Sequence, residues 1–330
     1  MNSVVIGPDS EPVRREAIVP EQAFGSRLDV VLADLFSEYS RVRLQGWIKD
    51  GCVKVNGVVV DRAREKLMGG EQLLLEASIP VQSENIAEDI PLDIVYEDDA
   101  LLVVNKQAGL VVHPAPGHAS GTLVNALLHH APELKMLPRA GIVHRLDKDT
   151  SGLLVIARSP DTHLALVQQL GKRAFLREYD AIVHGTVVAG GTVDAAIGRD
   201  PTDRQQMAVV EETGRNAVTH YRVVERFRAH THIKCRLETG RTHQIRVHMM
   251  HAGFPLLGDP VYGGRRRALA EASPELAETM KNFRRQALHA AKLGLSHPVT
   301  GELMHWQAPM PADLEHLLEL LRKDRVSNDY

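Results

Sequence analysis

The order of apolar runs between residues 91 and 238 constrains the fold of this 330-residue sequence more than any other feature. Short apolar segments at 92–96, 101–105, 110–112, 152–157, 179–184, 217–226 and 231–238 are separated by turn residues and read as strands. Helical patterns interrupt them at 122–130 and at 160–172, where Ser159-Pro160-Asp161 supplies an N-cap and a first turn. Strand and helix do not alternate regularly, which predicts an α+β fold with a mixed sheet rather than a doubly wound parallel one.

A smaller unit precedes this domain. Leu28, Val31, Leu32 and Leu35 share one helical face, and a second helix follows, with Ser40 as N-cap, Val42, Trp47 and Ile48 facing inward and Gly51 as its left-handed end. Val53 and Val55 then run into Asn56-Gly57 and out through Val58 and Val60, a strong hairpin signal. The expected division is a mobile tail over 1–25, a helix-helix-hairpin module over 26–77, a polar linker over 78–90 bounded by Pro80 and Pro91, and the larger domain over 91–325. Residues 263–285, with Arg265, Arg266 and Arg267, read as a basic loop with a short helix.

Composition narrows the function classes. Cys52 and Cys235 lack C-x-x-C spacing, which argues against a disulfide framework or a zinc ribbon and fits a reducing cytosol. No apolar run approaches bilayer-spanning length, and residues 1–20 are acidic and broken by polar residues, so neither insertion nor export is expected. The net charge of −3 gives no global attraction to nucleic acid, so any RNA binding has to rest on local basic patches.

The densest polar cluster is His144-Arg145-Leu146-Asp147-Lys148-Asp149-Thr150-Ser151-Gly152, directly before the apolar run 153–157. Its spacing alone suits a backbone-bonded turn as well as a site at a sheet end. This cluster resembles the signature of the RluA family of pseudouridine synthases. Asn105-Lys106-Gln107-Ala108-Gly109-Leu110-Val111-Val112-His113-Pro114 is similar to that family's first motif, with Gln107 where proline is usual. Arg177-Glu178-Tyr179, the stretch Glu238-Thr239-Gly240-Arg241-Thr242-His243-Gln244-Ile245-Arg246-Val247-His248-Met249, Gln286-Ala287-Leu288-His289-Ala290 and His297-Pro298 resemble its later ones. Separated motifs in the right order, over residues 26 to 320, are far more specific than one short pattern. The first module resembles the small RNA-binding domain of a small-subunit ribosomal protein, and the pairing of the two resembles the RluD-like enzymes, which act on large-subunit rRNA.

The resemblance implies a mainly antiparallel sheet and a cofactor-free isomerase that turns uridine into pseudouridine in 23S rRNA, at the uridines of the intersubunit stem-loop. It implies that Asp147 works at C1′ or C2′ of a flipped-out uridine, that Tyr179 packs on the uracil, and that Arg241 sets the charge of Asp147. A buried carboxylate on its own resists ionisation, so a neighbouring guanidinium is required. Arg145 is expected to fill the space left by the flipped base, with His144, Thr150 and Ile245 around the substrate. Arg27, Arg41, Arg43, Lys49 and Lys54 are the expected phosphate contacts of the first module. No metal is expected, and nothing demands more than a monomer.

Three rival readings are weighed against this one. His243, His248 and His251 invite a metal, but on a helix His243 falls off the face shared by the other two. Asp147 and Asp149 invite a glycosidase, against which stand only 4% aromatic residues. A non-catalytic RNA-binding ribosome-assembly factor on the same fold is the alternative, against which stand the intact Asp147, Tyr179 and Arg241.

Overall fold

The computed structural model describes residues 10–39, 41–80, 86–114, 118–264, 269 and 271–328. The proposed N-cap Ser40 and the arginines 265–267 lie outside the described residues. The chain divides into two units, Met1–Asn85 and Ile86–Tyr330.

In the first unit the elements are β1 (Ser10–Ile18), α1 (Leu28–Leu35), α2 (Arg41–Lys49), β2 (Val53–Val55), β3 (Val58–Val59) and β4 (Gln72–Pro80). The strands form an antiparallel sheet in the order β1-β4-β2-β3. Leu28, Val31 and Leu32 of α1 meet Leu44, Trp47 and Ile48 of α2 over Val53, Leu73 and Leu75 of the sheet. Asn56 and Gly57 both take positive φ, 49° and 80°, as a two-residue hairpin turn demands. The tail expected over 1–25 is, from Ser10 onward, a nine-residue strand pairing with β4 from Ser10↔Pro80 to Ile18↔Gln72. Pro80 thus ends a strand, and Ile86 and Glu88 bond to Asn125 and Gly121 of the second unit, so the linker expected over 78–90 is shorter at both ends.

The second unit comprises β5 (Ile94–Glu97), β6 (Leu101–Lys106), α3 (Leu123–His130), β7 (Ser151–Ala157), α4 (Pro160–Gly171), β8 (Leu176–His184), β9 (Gly191–Asp194), β10 (Ile197–Arg199), β11 (Met207–Val209), β12 (Val218–Arg226), β13 (His230–Leu237), α5 (Gln244–His251), α6 (Pro274–Asn282), β14 (Leu288–Ser296), β15 (Leu303–Gln307) and α7 (Ala312–Asn328). Nine of these strands make one sheet, β5-β6-β7-β14-β8-β13-β12-β9, with β15 paired to β14. Every named pairing is antiparallel except β7 with β14. The run expected as a strand at 110–112 makes only the isolated bridge Val111↔Thr122, because it is the loop feeding α3.

β7 is buried along its whole length, and its alternate residues face two cores. Leu154 and Ile156 pack with α3 and Tyr179, while Leu153, Val155 and Ala157 pack with Leu166 of α4 and Trp306. At its start, Gly152 has a φ of 115°, and a Cβ there would lie 2.3 Å from the Ala290 carbonyl oxygen. Only glycine allows β14 to come alongside at that point, and it fixes where the polar loop before β7 meets the sheet.

Candidate active site

The loop His144–Thr150 is held from three directions. Lys106, at the end of β6, is almost wholly buried and donates to the carbonyls of Gln107, Leu110 and Lys148 at 2.9, 3.0 and 2.9 Å. Burial pushes its ammonium down to about 7, with Asp149 and Asp147 opposing; three carbonyl acceptors suit three N–H donors and so favour the protonated form. From before β14, the Arg285 guanidinium donates to the Asp149 carbonyl and Gln286 Nε2 to Thr150 Oγ1. Within the loop, Thr150 N donates to the Asp147 carbonyl at 3.1 Å. His144 turns away from the loop: its Nε2 accepts from Val155 N at 3.2 Å, and its ring meets Phe175 edge-on. Burial, then the nearby Arg177 charge, lowers its pKa to about 3, so it is neutral.

These anchors set the Asp147 carboxylate in the lining of a cleft of about 790 Å³. Six arginines line that cleft, Arg139, Arg145, Arg173, Arg177, Arg241 and Arg246, against the carboxylates of Asp147 and Glu238. A chain of net charge −3 thus concentrates cations at one mouth. Tyr179 of β8, 7% exposed, forms part of the wall, and burial raises its pKa, so its phenol stays protonated. Ile245 supplies apolar surface, and Arg145 stands exposed at the rim.

The cation against Asp147 is Arg246. Its Nη1 lies 3.1 Å from Asp147 Oδ2, while Nε and Nη2 fork onto Asp259 at 2.7 and 2.9 Å. The guanidinium also lies 4.9 Å from the centre of the Tyr262 ring. Burial favours neutral Asp259, yet hydrogen bonds and charge from Arg246, with the N–H groups of Tyr262 and Val261, hold its carboxyl below the ordinary value. Arg241 does not reach Asp147 and corrects the expectation: its Nε donates to the Asn216 carbonyl at 3.0 Å. His243 takes a left-handed φ of 55° and starts α5, so Arg241 is left on the loop and Arg246, inside the first turns, faces inward. Both arginines belong to the same motif; the second was identifiable only as the one inside a helix.

His248 spends both ring nitrogens on Thr219 Oγ1 and the Ala195 carbonyl, and His243 Nδ1 meets the Tyr262 hydroxyl. Among the described residues no group of three or more His, Cys, Asp or Glu is placed to hold a metal. Of the five cations expected on the first unit, Arg27 and Arg41 both pair with Asp29, which is wholly buried, and Lys54 pairs with Glu76. Arg43 lies over the Trp47 ring at 6.0 Å, and Lys49 is exposed.

The neutral histidines make a prediction about acid. Burial lowers His113 and His230 to about 4 and His144 to about 3, against 6.5 in a free chain. Between those values the unfolded chain binds protons that the folded one does not, so stability falls as pH drops from about 6.5 toward 4. Thermal melts across that window are expected to show the loss. His230, with both ring nitrogens buried and unpartnered, contributes to it, so His230→Phe should flatten the profile; an unchanged slope would remove His230 from the account.

The RNA pseudouridylate synthase family model matches residues 100–251, and the S4 domain model matches residues 26–73. The chain belongs to the RNA pseudouridylate synthase family. It is 57% identical over 316 residues to the Ribosomal large subunit pseudouridine synthase D of Pseudomonas aeruginosa, covering 96% of this chain and 98% of that one. The protein of the same name from Escherichia coli strain K12 is 51% identical over 315 residues, covering 96% of each. Among solved structures, Human RNA Pseudouridylate Synthase Domain Containing 4 superposes with a TM-score of 0.54 at 28% identity, over 69% of this chain and 92% of that one.

Proposed function

We propose that this chain isomerises uridine to pseudouridine in the 23S rRNA of the large ribosomal subunit, at the uridines of the intersubunit stem-loop. The observation that carries the reading is the Asp147 carboxylate fixed against Arg246 in an arginine-lined cleft that Tyr179 also lines. Isomerisation breaks the N1–C1′ bond, turns the uracil and joins C5 to C1′, so it requires no redox step and no group donor. Asp147 serves by attacking C1′ or by taking the C2′ proton, and Arg246 supplies the opposing positive charge. Tyr179 offers the uracil a flat face, and Ile245 an apolar one. Because a stacked uridine cannot enter such a cleft, the nucleotide flips out and the exposed Arg145 fills its place. Thr150 and His144 act through the loop, holding Asp147 in position, and Arg241 joins the rim that meets phosphate.

Release of tritium from C5-labelled uridine in a large-subunit rRNA transcript tests the reading, with EDTA present to exclude a metal. One tritium released per target uridine is expected; RNA that is bound but releases none would reject it.

The first unit positions the enzyme on RNA through Arg27, Arg41, Arg43, Lys49 and Lys54. Arg43→Glu with Lys49→Glu is expected to weaken rRNA binding by roughly tenfold at moderate salt, with the saturated rate kept. Unchanged affinity and salt dependence would move the RNA contacts elsewhere.

A further inference from the structure

Among the described residues two arginines are buried, and they are partnered very differently. Arg246 meets two carboxylates. Arg177, 7% exposed, has no carboxylate within ion-pair distance among the described residues; its Nη2 donates to the Glu238 carbonyl at 3.2 Å, and its buried Nε has no partner among them. A buried cation without an anion is unfavourable, and a protein gains nothing in stability by keeping one.

Its surroundings are built for it. Arg177 lies two residues before Tyr179 on β8, so the two side chains share a face, and both line the cleft. A Cβ at Gly240 would lie 2.8 Å from Arg177 Nη1, so the guanidinium packs directly on the backbone after β13. Its charge is felt by Tyr179 and by His144.

We propose that Arg177 is a catalytic residue that binds the departing uracil as an anion. The inference rests on the isomerase reading above. By either route for Asp147, the N1–C1′ electron pair leaves on the uracil and spreads over N1, O2 and O4. C5 then bonds to C1′ as Asp147 leaves C1′ or returns its proton to C2′; the C5 proton goes to solvent and N1 takes up a proton, which leaves a neutral base. Arg177, beside the tyrosine that faces the ring, supplies the charge the anion requires at the moment it forms. A preoriented, largely buried donor of this kind acts on the transition state more than on the bound substrate.

The test compares RNA carrying uridine with RNA carrying 5-fluorouridine at the target, following loss of that nucleoside in nuclease digests under single turnover. Fluorine stabilises the uracil anion itself and lessens the call on Arg177. Arg177→Met is expected to slow uridine RNA by about 100-fold with little change in half-saturating RNA. The defect on 5-fluorouridine RNA should be several-fold smaller, and Arg177→Lys should fall between. The Met variant should melt at or above the wild-type temperature, since it removes an uncompensated buried charge. Equal defects on the two RNAs, or a loss confined to half-saturating RNA as a phosphate contact would give, overturn the proposal. A Met variant melting well below wild type makes Arg177 a structural brace and overturns it too. Wild-type enzyme that leaves uridine unconverted rejects the isomerase reading instead.

Discussion

Asp147→Asn is expected to abolish turnover, lowering the single-turnover rate by at least about 10⁴-fold, while rRNA affinity stays near that of the wild type. The amide keeps the shape of the carboxylate and still offers an oxygen to Arg246 Nη1. It cannot attack C1′ or take a proton from C2′, so the chemistry is lost while the cleft survives. Tritium release and filter binding on one preparation separate the two effects. A residual rate above about 1% of wild type would remove Asp147 from the chemistry.

Arg246→Met should lose activity and stability together. The Asp259 side chain has no exposed surface, and losing its forked guanidinium leaves a buried carboxylate with no cation and only the N–H groups of Val261 and Tyr262. Breaking such a pair costs about 3–5 kcal/mol, or a fall in melting temperature of about 10 °C for a unit of this size. Adding Asp259→Asn removes the stranded charge and keeps an oxygen for the N–H groups of Val261 and Tyr262. The double variant should regain part of the stability and none of the activity. If it regains both, Arg246 serves only to hold Asp259. Because Arg246 and the two N–H groups keep the Asp259 carboxyl below its ordinary value of 3.8, the pair's contribution is complete above that pH and is lost in stronger acid.

What was legible in the sequence, and what was not, divides along local against distant information. The hairpin at Asn56-Gly57 and the helix starting at Ser159-Pro160 are written in a few adjacent residues, and both form as read. β1 was not legible, because an edge strand with Arg14, Arg15 and Glu16 all exposed looks like a polar tail until its partner β4 is known. The loop around Asp147 was legible as a site through its likeness to a family signature, but its counter-cation was not. Arg241 and Arg246 are five residues apart in one motif, and only the left-handed turn at His243 decides which of them looks into the cleft. Arg177 was legible only as part of the Arg177-Glu178-Tyr179 stretch, with no role attached, since the feature that marks it is a missing partner, which appears only when the whole cleft is assembled.

The place of β14 governs when the enzyme becomes an enzyme. That strand lies between β7 and β8 at the middle of the sheet, although every other strand of that sheet except β15 precedes it in the sequence. Asp147 and Arg246 are 99 residues apart, and Thr150 is tied to Gln286 across 136. A growing chain that ends before β14 therefore holds two half-sheets with exposed inner edges and a loop lacking one of its braces. Contacts of such long sequence separation close late and slowly. Catalytic competence is thus withheld until the chain has been made through β14, and a chain truncated before Leu288 would be an aggregation hazard, not a weaker catalyst.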